Sequence, residues 1–249
     1  MGRQPTARPT LRAMAELINQ APASALAVYA HPDDPEVSCG GTLARWVRAG
    51  SQVHVVVCAQ GDKGTSDPAT KSDELVARRA GEMAAAAAHL GLAGHHTLGH
   101  PDGELEDDTH LRAELVTLVR RLRPEVVVCP DPLAVFFGQD YFNHRDHRVV
   151  GWAALHAVAP AAALPLYYPD AGPAHQVRTA YLSGTFEPDV WVDVTATLEA
   201  KVEALLCHAS QLDEGGGWLR TVVRQRAEEA GARAGGGYAE GFRRVRLAP

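Results

Sequence analysis

The chain has no surplus of basic charge and no glycine-rich phosphate loop, and both absences restrict what it can do. Its 24 Lys and Arg stand against 30 Asp and Glu in 249 residues, a formal net charge of −6. Nucleic acid is therefore not an expected partner, and the clusters Arg120-Arg121-Arg123 and Arg243-Arg244-Arg246 read as solvated helix ends. No GxxxxGK segment occurs and no GxGxxG follows the first apolar run, which argues against phosphoryl transfer. No stretch approaches the roughly 18 apolar residues of a spanning helix, and Met1 to Asn19 has no apolar core followed by a small-residue cleavage site. A cytoplasmic protein with no membrane partner is expected. The four cysteines, Cys39, Cys58, Cys129 and Cys207, form no CxxC pair, so they read as reduced and a thiolate metal site is not expected.

A hydrophobic content of 46% is enough to build a core. Its pattern alternates apolar runs with periodic segments. Strands are expected at 25–30, 53–58, 125–129 and, more weakly, 96–98. Helices are expected at 11–18, 42–48 after Gly40-Gly41, 72–90, 109–123 and from His144 to about Val158. Repeated strand–helix alternation predicts an α/β, Rossmann-like fold: a largely parallel sheet with helices on both faces. The core is expected over about residues 21–165. From about 166 to 249 a C-terminal lobe of the same single domain follows, with strands at 177–183 and 190–194, helices at 195–211 and 218–230, and a tail over 238–247.

Two polar clusters follow buried strands, where open α/β sheets bind ligands. The first is Ala30-His31-Pro32-Asp33-Asp34 and the second His144-Arg145-Asp146-His147. A catalytic mononuclear metal site needs three protein ligands and an open position, and His31, Asp34 and His147 can provide them. Asp33 is placed to take a proton from water that the ion acidifies. His144 is the candidate donor to an oxyanion or leaving amine, with Asp146 fixing its tautomer. The plainer alternative is that the aspartates cap the next helix and the histidines are surface polarity. His54, His89, His95, His96, His100 and His156 read as packed, surface or strand-end residues, and His208 as a helical surface residue.

These residues resemble the LmbE-like/PIG-L family of zinc-dependent N-acetylglucosamine deacetylases. Further landmarks are Gly61-Asp62-Lys63-Gly64, Arg79-x-x-Glu82, Pro101-Asp102-Gly103, Arg123-Pro124-Glu125, Lys201 to Ser210-Gln211, and Tyr238-Ala239-Glu240-x-Phe242. The resemblance implies that His31, Asp34 and His147 hold zinc, that Asp33 is the general base, that His144 is the acid or oxyanion donor, and that Asp146 orients it. It also implies that Arg79 and Asp102 contact sugar hydroxyls. Their plainer readings are a helical pair with Glu82 and a turn aspartate. Pro35 separates the aspartates from Glu36, a variant found in bacterial branches that include bacillithiol-type deacetylases. The tyrosine that the mycothiol branch carries two positions before the catalytic histidine is Phe142 here, with Tyr141 beside it. Both, with Phe136 and Phe137, are read as a wall facing sugar or acyl groups, the plainer reading being that they bury the loop; the resemblance also implies that the C-terminal helix carrying His208 approaches the active site.

The implied reaction is removal of an N-acetyl group from an N-acetylglucosamine-containing small molecule or glycoconjugate. The alternatives are an amidase acting on a thiol conjugate or secondary-metabolite glycoside, and a metal-retaining binding protein without catalysis. Zn²⁺ is the expected cofactor, although a two-His, one-carboxylate site also accepts Fe²⁺ or Mn²⁺. A homo-oligomer is compatible with the family.

Overall fold

A computed structural model describes residues 16–212 and 216–247. The chain runs β1 (Glu16–Leu17), β2 (Ser24–Tyr29), α1 (Asp34–Arg48), β3 (Gln52–Ala59), α2 (Ser72–Leu90), β4 (Gly94–His100), α3 (Thr109–Leu122) and β5 (Val126–Pro130). It continues through β6 (Phe136–Phe137), β7 (Tyr141–Phe142), α4 (Arg145–His156), β8 (Thr179–Ser183), β9 (Val190–Asp193), α5 (Leu198–Leu206), α6 (Gly217–Ala234) and β10 (Ala239–Arg246). The eight-stranded sheet has the order β1-β9-β10-β8-β5-β2-β3-β4, while β6 and β7 form a separate hairpin. Strands β4, β3, β2, β5 and β8 are parallel to one another, and β10 is antiparallel to both β8 and β9. No helix among the described residues is long and apolar enough to cross a membrane.

Side-chain alternation along the strands builds a core on each face. Leu26, Val28, Val56 and Cys58 point to one side, under Leu111, Leu115 and Val119 of α3 and Val150 and Ala154 of α4. Ala27, Tyr29, Val55 and Val57 point to the other, under Cys39, Leu43 and Trp46 of α1 and Met83 of α2. Burial on both faces explains why these strands are continuous apolar runs. From β2 the chain winds outward to β3 and β4, then returns to place β5 on the other side of β2. That reversal makes the carboxyl ends of β2 and β5 the switch point of the sheet, where open α/β folds bind ligands.

The structure corrects several sequence expectations. The helix expected over 11–18 lies mostly outside the described residues, and its described end is strand β1. Residues 239–246 are not a tail: β10 is an interior strand of the sheet. Helix α1 starts at Asp34 and is broken by non-helical Cys39 (φ −146°, ψ 18°), so Gly40-Gly41 opens only its second half. The helix expected over 195–211 is α5 alone, with a separate 3₁₀ turn at Ala209–Gln211. Arg120 is not solvated. It is 3% exposed and donates to the carbonyls of Ala161, Ala162, Leu164, Tyr167, Tyr168 and Gly172, tying down the segment that follows α4.

Candidate metal centre

His31 leaves the end of β2 as the chain turns into α1, and His147 sits in the first turn of α4, which begins after the β6–β7 hairpin. The fold brings them together: His31 Nδ1 lies 3.2 Å from His147 Nε2. Asp34 touches both, with Oδ1 3.2 Å from His147 Nε2 and Oδ2 3.4 Å from His31 Nδ1. Tetrahedral zinc holds nitrogen and oxygen donors at about 2.1 Å, which puts the donors roughly 3.3 Å from one another. The three groups therefore already stand at ligand separations. The opposite ring nitrogens are occupied: His31 Nε2 lies 3.0 Å from Asp102 Oδ1, and His147 Nδ1 2.8 Å from Asn143 Oδ1. Such partners fix tautomer and ring orientation in metal-binding histidines.

The electrostatics match a cation. Asp34, Asp102 and Asp146 all face His31, with Asp146 Oδ2 3.6 Å from its Nε2. Burial opposes a charged His31 imidazole, but its hydrogen bonds to Asp102, Asp146 and Asp34 outweigh burial and push it up to about 12. Burial likewise opposes ionisation of Asp34, yet His147 and His31 hold its carboxyl well below the usual range. Asp102 is lowered chiefly by its hydrogen bond to His31. Two imidazoles in a cradle this rich in carboxylate fit one divalent ion.

His144 caps α4 and is exposed, with its ring 5.1 Å from that of His31 and 5.7 Å from that of His147. Ring nitrogens of all three histidines lie within 4.8 Å of one another. Asp34 is the better third ligand because it touches both His31 and His147, whereas His144 Nδ1 accepts from the Asp146 backbone N–H at 3.4 Å. An accepting Nδ1 leaves Nε2 to carry the proton. The Asp146 carboxylate, expected to orient His144, comes within 4.8 Å of its ring nitrogen, and no hydrogen bond joins the two side chains. Asp146, fully buried, accepts from Gly103 N at 2.7 Å and faces His31.

Asp33 occupies the N-cap position of α1 but makes no side-chain cap. Instead Arg79 Nη2 donates to its Oδ1 at 2.9 Å. Arg79 is 3% exposed and also reaches Gly61 O. A Cβ on Gly64 would fall 2.6 Å from Arg79 Nη1, so a side chain there would displace the guanidinium from this position. Arg79 and Asp102, expected at sugar hydroxyls, are thus directed at Asp33 and His31. The exposed aromatics Phe136, Tyr141 and Phe142 form the hairpin immediately before Asn143. Desolvation raises the Tyr141 phenol.

Asn143 was missed by sequence reasoning. Its signal is position alone, one residue before His144 and one helical turn before His147. His208 is corrected: it is 1% exposed, not a surface residue, and lies 3.3 Å from buried Glu36.

Fold and site together define a Rossmann-like α/β protein with a two-His, one-carboxylate cradle at its switch point. The chain belongs to the PIG-L family, matching over residues 26–158 the family described as GlcNAc-PI de-N-acetylase. It is 32% identical to diacetylchitobiose deacetylase of Thermococcus kodakarensis over 88% of this chain and 82% of that protein. It is 30% identical to the 1D-myo-inositol 2-acetamido-2-deoxy-alpha-D-glucopyranoside deacetylase of Rhodococcus jostii over 75% and 81%. Among solved structures it superposes on the N,N'-diacetylchitobiose deacetylase of Pyrococcus horikoshii with a TM-score of 0.82 and 29% identity, covering 90% of this chain and 84% of that one.

Proposed function

We propose that the chain is a zinc-dependent hydrolase that removes the N-acetyl group from an N-acetylglucosamine-containing small molecule or glycoconjugate. The observation that carries this reading is the convergence of His31 Nδ1, Asp34 and His147 Nε2 at ligand separations, next to a carboxylate, Asp33, that the cradle does not use. Relatives named for diacetylchitobiose and for an acetamido-glucopyranosyl inositol support the substrate class.

His31, Asp34 and His147 would hold the ion. When bound it supplies Lewis acidity, which lowers the pKa of water and polarises an amide carbonyl. Asp33 accepts the water proton through the carboxylate that Arg79 aims, so the nucleophile forms at neutral pH. His144 Nε2–H donates to the carbonyl oxygen as negative charge develops there. The amide C–N bond then breaks, and the proton held by Asp33 passes to the departing amine, leaving acetate and a free amino sugar. Phe136, Tyr141 and Phe142 stand at the rim, where aromatic faces pack against apolar faces of a sugar or its aglycone.

Acetate release from N,N'-diacetylchitobiose, followed with wild type and with Asp33→Asn, tests this reading. Wild type is expected to turn over and Asp33→Asn to be slower by about 10²–10⁴-fold, the usual worth of a positioned proton acceptor. Equal rates would refute it.

A further inference from the structure

Outside the active site, one other group of metal-ligating side chains comes together among the described residues. His100 ends β4, while His110 and Glu114 lie one turn apart on α3. The two elements meet so that Glu114 turns one oxygen to each imidazole: Oε2 is 2.7 Å from His100 Nε2 and Oε1 is 3.9 Å from His110 Nε2. The two rings are 5.7 Å apart, and one ligand atom from each residue falls within 4.8 Å of the others. We propose that His100, His110 and Glu114 form a second, peripheral site for a divalent transition-metal ion.

The donor set decides the class of ion. Two imidazoles and one carboxylate suit Zn²⁺, Ni²⁺ or Cu²⁺, whereas Mg²⁺ and Ca²⁺ prefer oxygen donors throughout. The arrangement is half-built for such an ion. The side chains of His100 and Glu114 are 21% and 28% exposed, which limits their freedom, while His110 is 73% exposed and free to close on a bound ion. His110 and Glu114 also line an open cavity of about 480 Å³ between β4 and α3, so these two donors face solvent. Asp108, capping α3 through the N–H groups of His110 and Leu111, adds negative charge at this end of the helix.

An ion here would tie the end of β4 to α3. His100 O accepts from Gln60 N at 3.0 Å, and two residues beyond His100 stands Asp102, the partner of His31. The peripheral site therefore braces the loop that orients an active-site imidazole. Its role is structural support of that loop, separate from the hydrolytic chemistry.

Equilibrium dialysis of metal-stripped full-length protein against Zn²⁺, followed by metal analysis, tests the assignment. Wild type is expected to take up two ions per chain, the weaker one absent from His110→Ala and from Glu114→Gln. His110→Ala, a change at an exposed position, is expected to keep the wild-type rate of acetate release. Excess Zn²⁺ should raise the melting temperature of wild type above its one-equivalent value and leave His110→Ala unchanged, with Mg²⁺ ineffective on both. A wild type that binds a single ion which His110→Ala abolishes would still support the peripheral site and would count against the active-site reading instead. A single ion retained by His110→Ala, or two ions retained by it, would overturn the proposal.

Discussion

The adjacent aspartates of the first polar cluster differ in what they touch, and the proposed chemistry rests on that difference. Asp34 is enclosed by His31 and His147, whereas the Asp33 carboxylate meets only Arg79. Asn143→Ala should weaken metal binding by about 10–100-fold, the usual cost of removing the partner that orients a metal-bound imidazole. Competition with a chromophoric chelator measures this, and Asp33→Asn should leave it unchanged. The metal-free protein should show a particular pH dependence. The His31 imidazole is raised from 6.5 to about 12. Its contribution to stability is thus fully present below pH 6.5 and is lost as pH climbs towards 12. In the metal-loaded protein the imidazole is neutral, and this dependence should vanish from denaturant unfolding curves. That His31, Asp34 and His147 would converge was legible in the sequence because both polar clusters follow apolar strands. The partners of Arg79 and Asp102 were not, because contacts across 46 and 71 residues leave no local pattern.

At the scale of elements, helix α1 depends on the far end of the chain. Its second half, after the break at Cys39, is capped by Glu240 of β10, which accepts from Gly41 N at 3.1 Å and Thr42 N at 2.7 Å. Lys201 of α5 pairs with the same carboxylate at 2.6 Å, and both side chains are buried. A Cβ on Gly41 would sit 2.8 Å from Val194, so this close approach requires glycine. Glu240→Gln should destabilise the fold by about 3–5 kcal/mol, because it strands a buried ammonium and weakens the cap. Adding Lys201→Met should recover part of that loss, read by urea denaturation. Strand β10 escaped the sequence reading for a physical reason. Four of its eight residues are Glu or Arg, and its side chains run from buried to exposed, so no clean alternation marks it. Its identity comes from two antiparallel partners distant in sequence. Strands β2, β3 and β5 were legible because burial on both faces writes a nearly continuous apolar run, interrupted in β3 only by His54.

For the whole molecule, the sheet order is what joins the two clusters. One loop leaves β2 and the other polar segment follows β5, and these strands are neighbours at the point where the winding reverses. The α/β class could be read from alternating elements, and family membership supports the proposed acetamido-sugar chemistry, which the fold alone leaves open. The central claim is that hydrolysis depends on an ion held by His31, Asp34 and His147. It is tested most directly by acetate release from N,N'-diacetylchitobiose by zinc-loaded wild type, metal-stripped wild type and zinc-treated Asp34→Asn. The account predicts turnover in the first and essentially none in the other two. Equal acetate release by all three would contradict it.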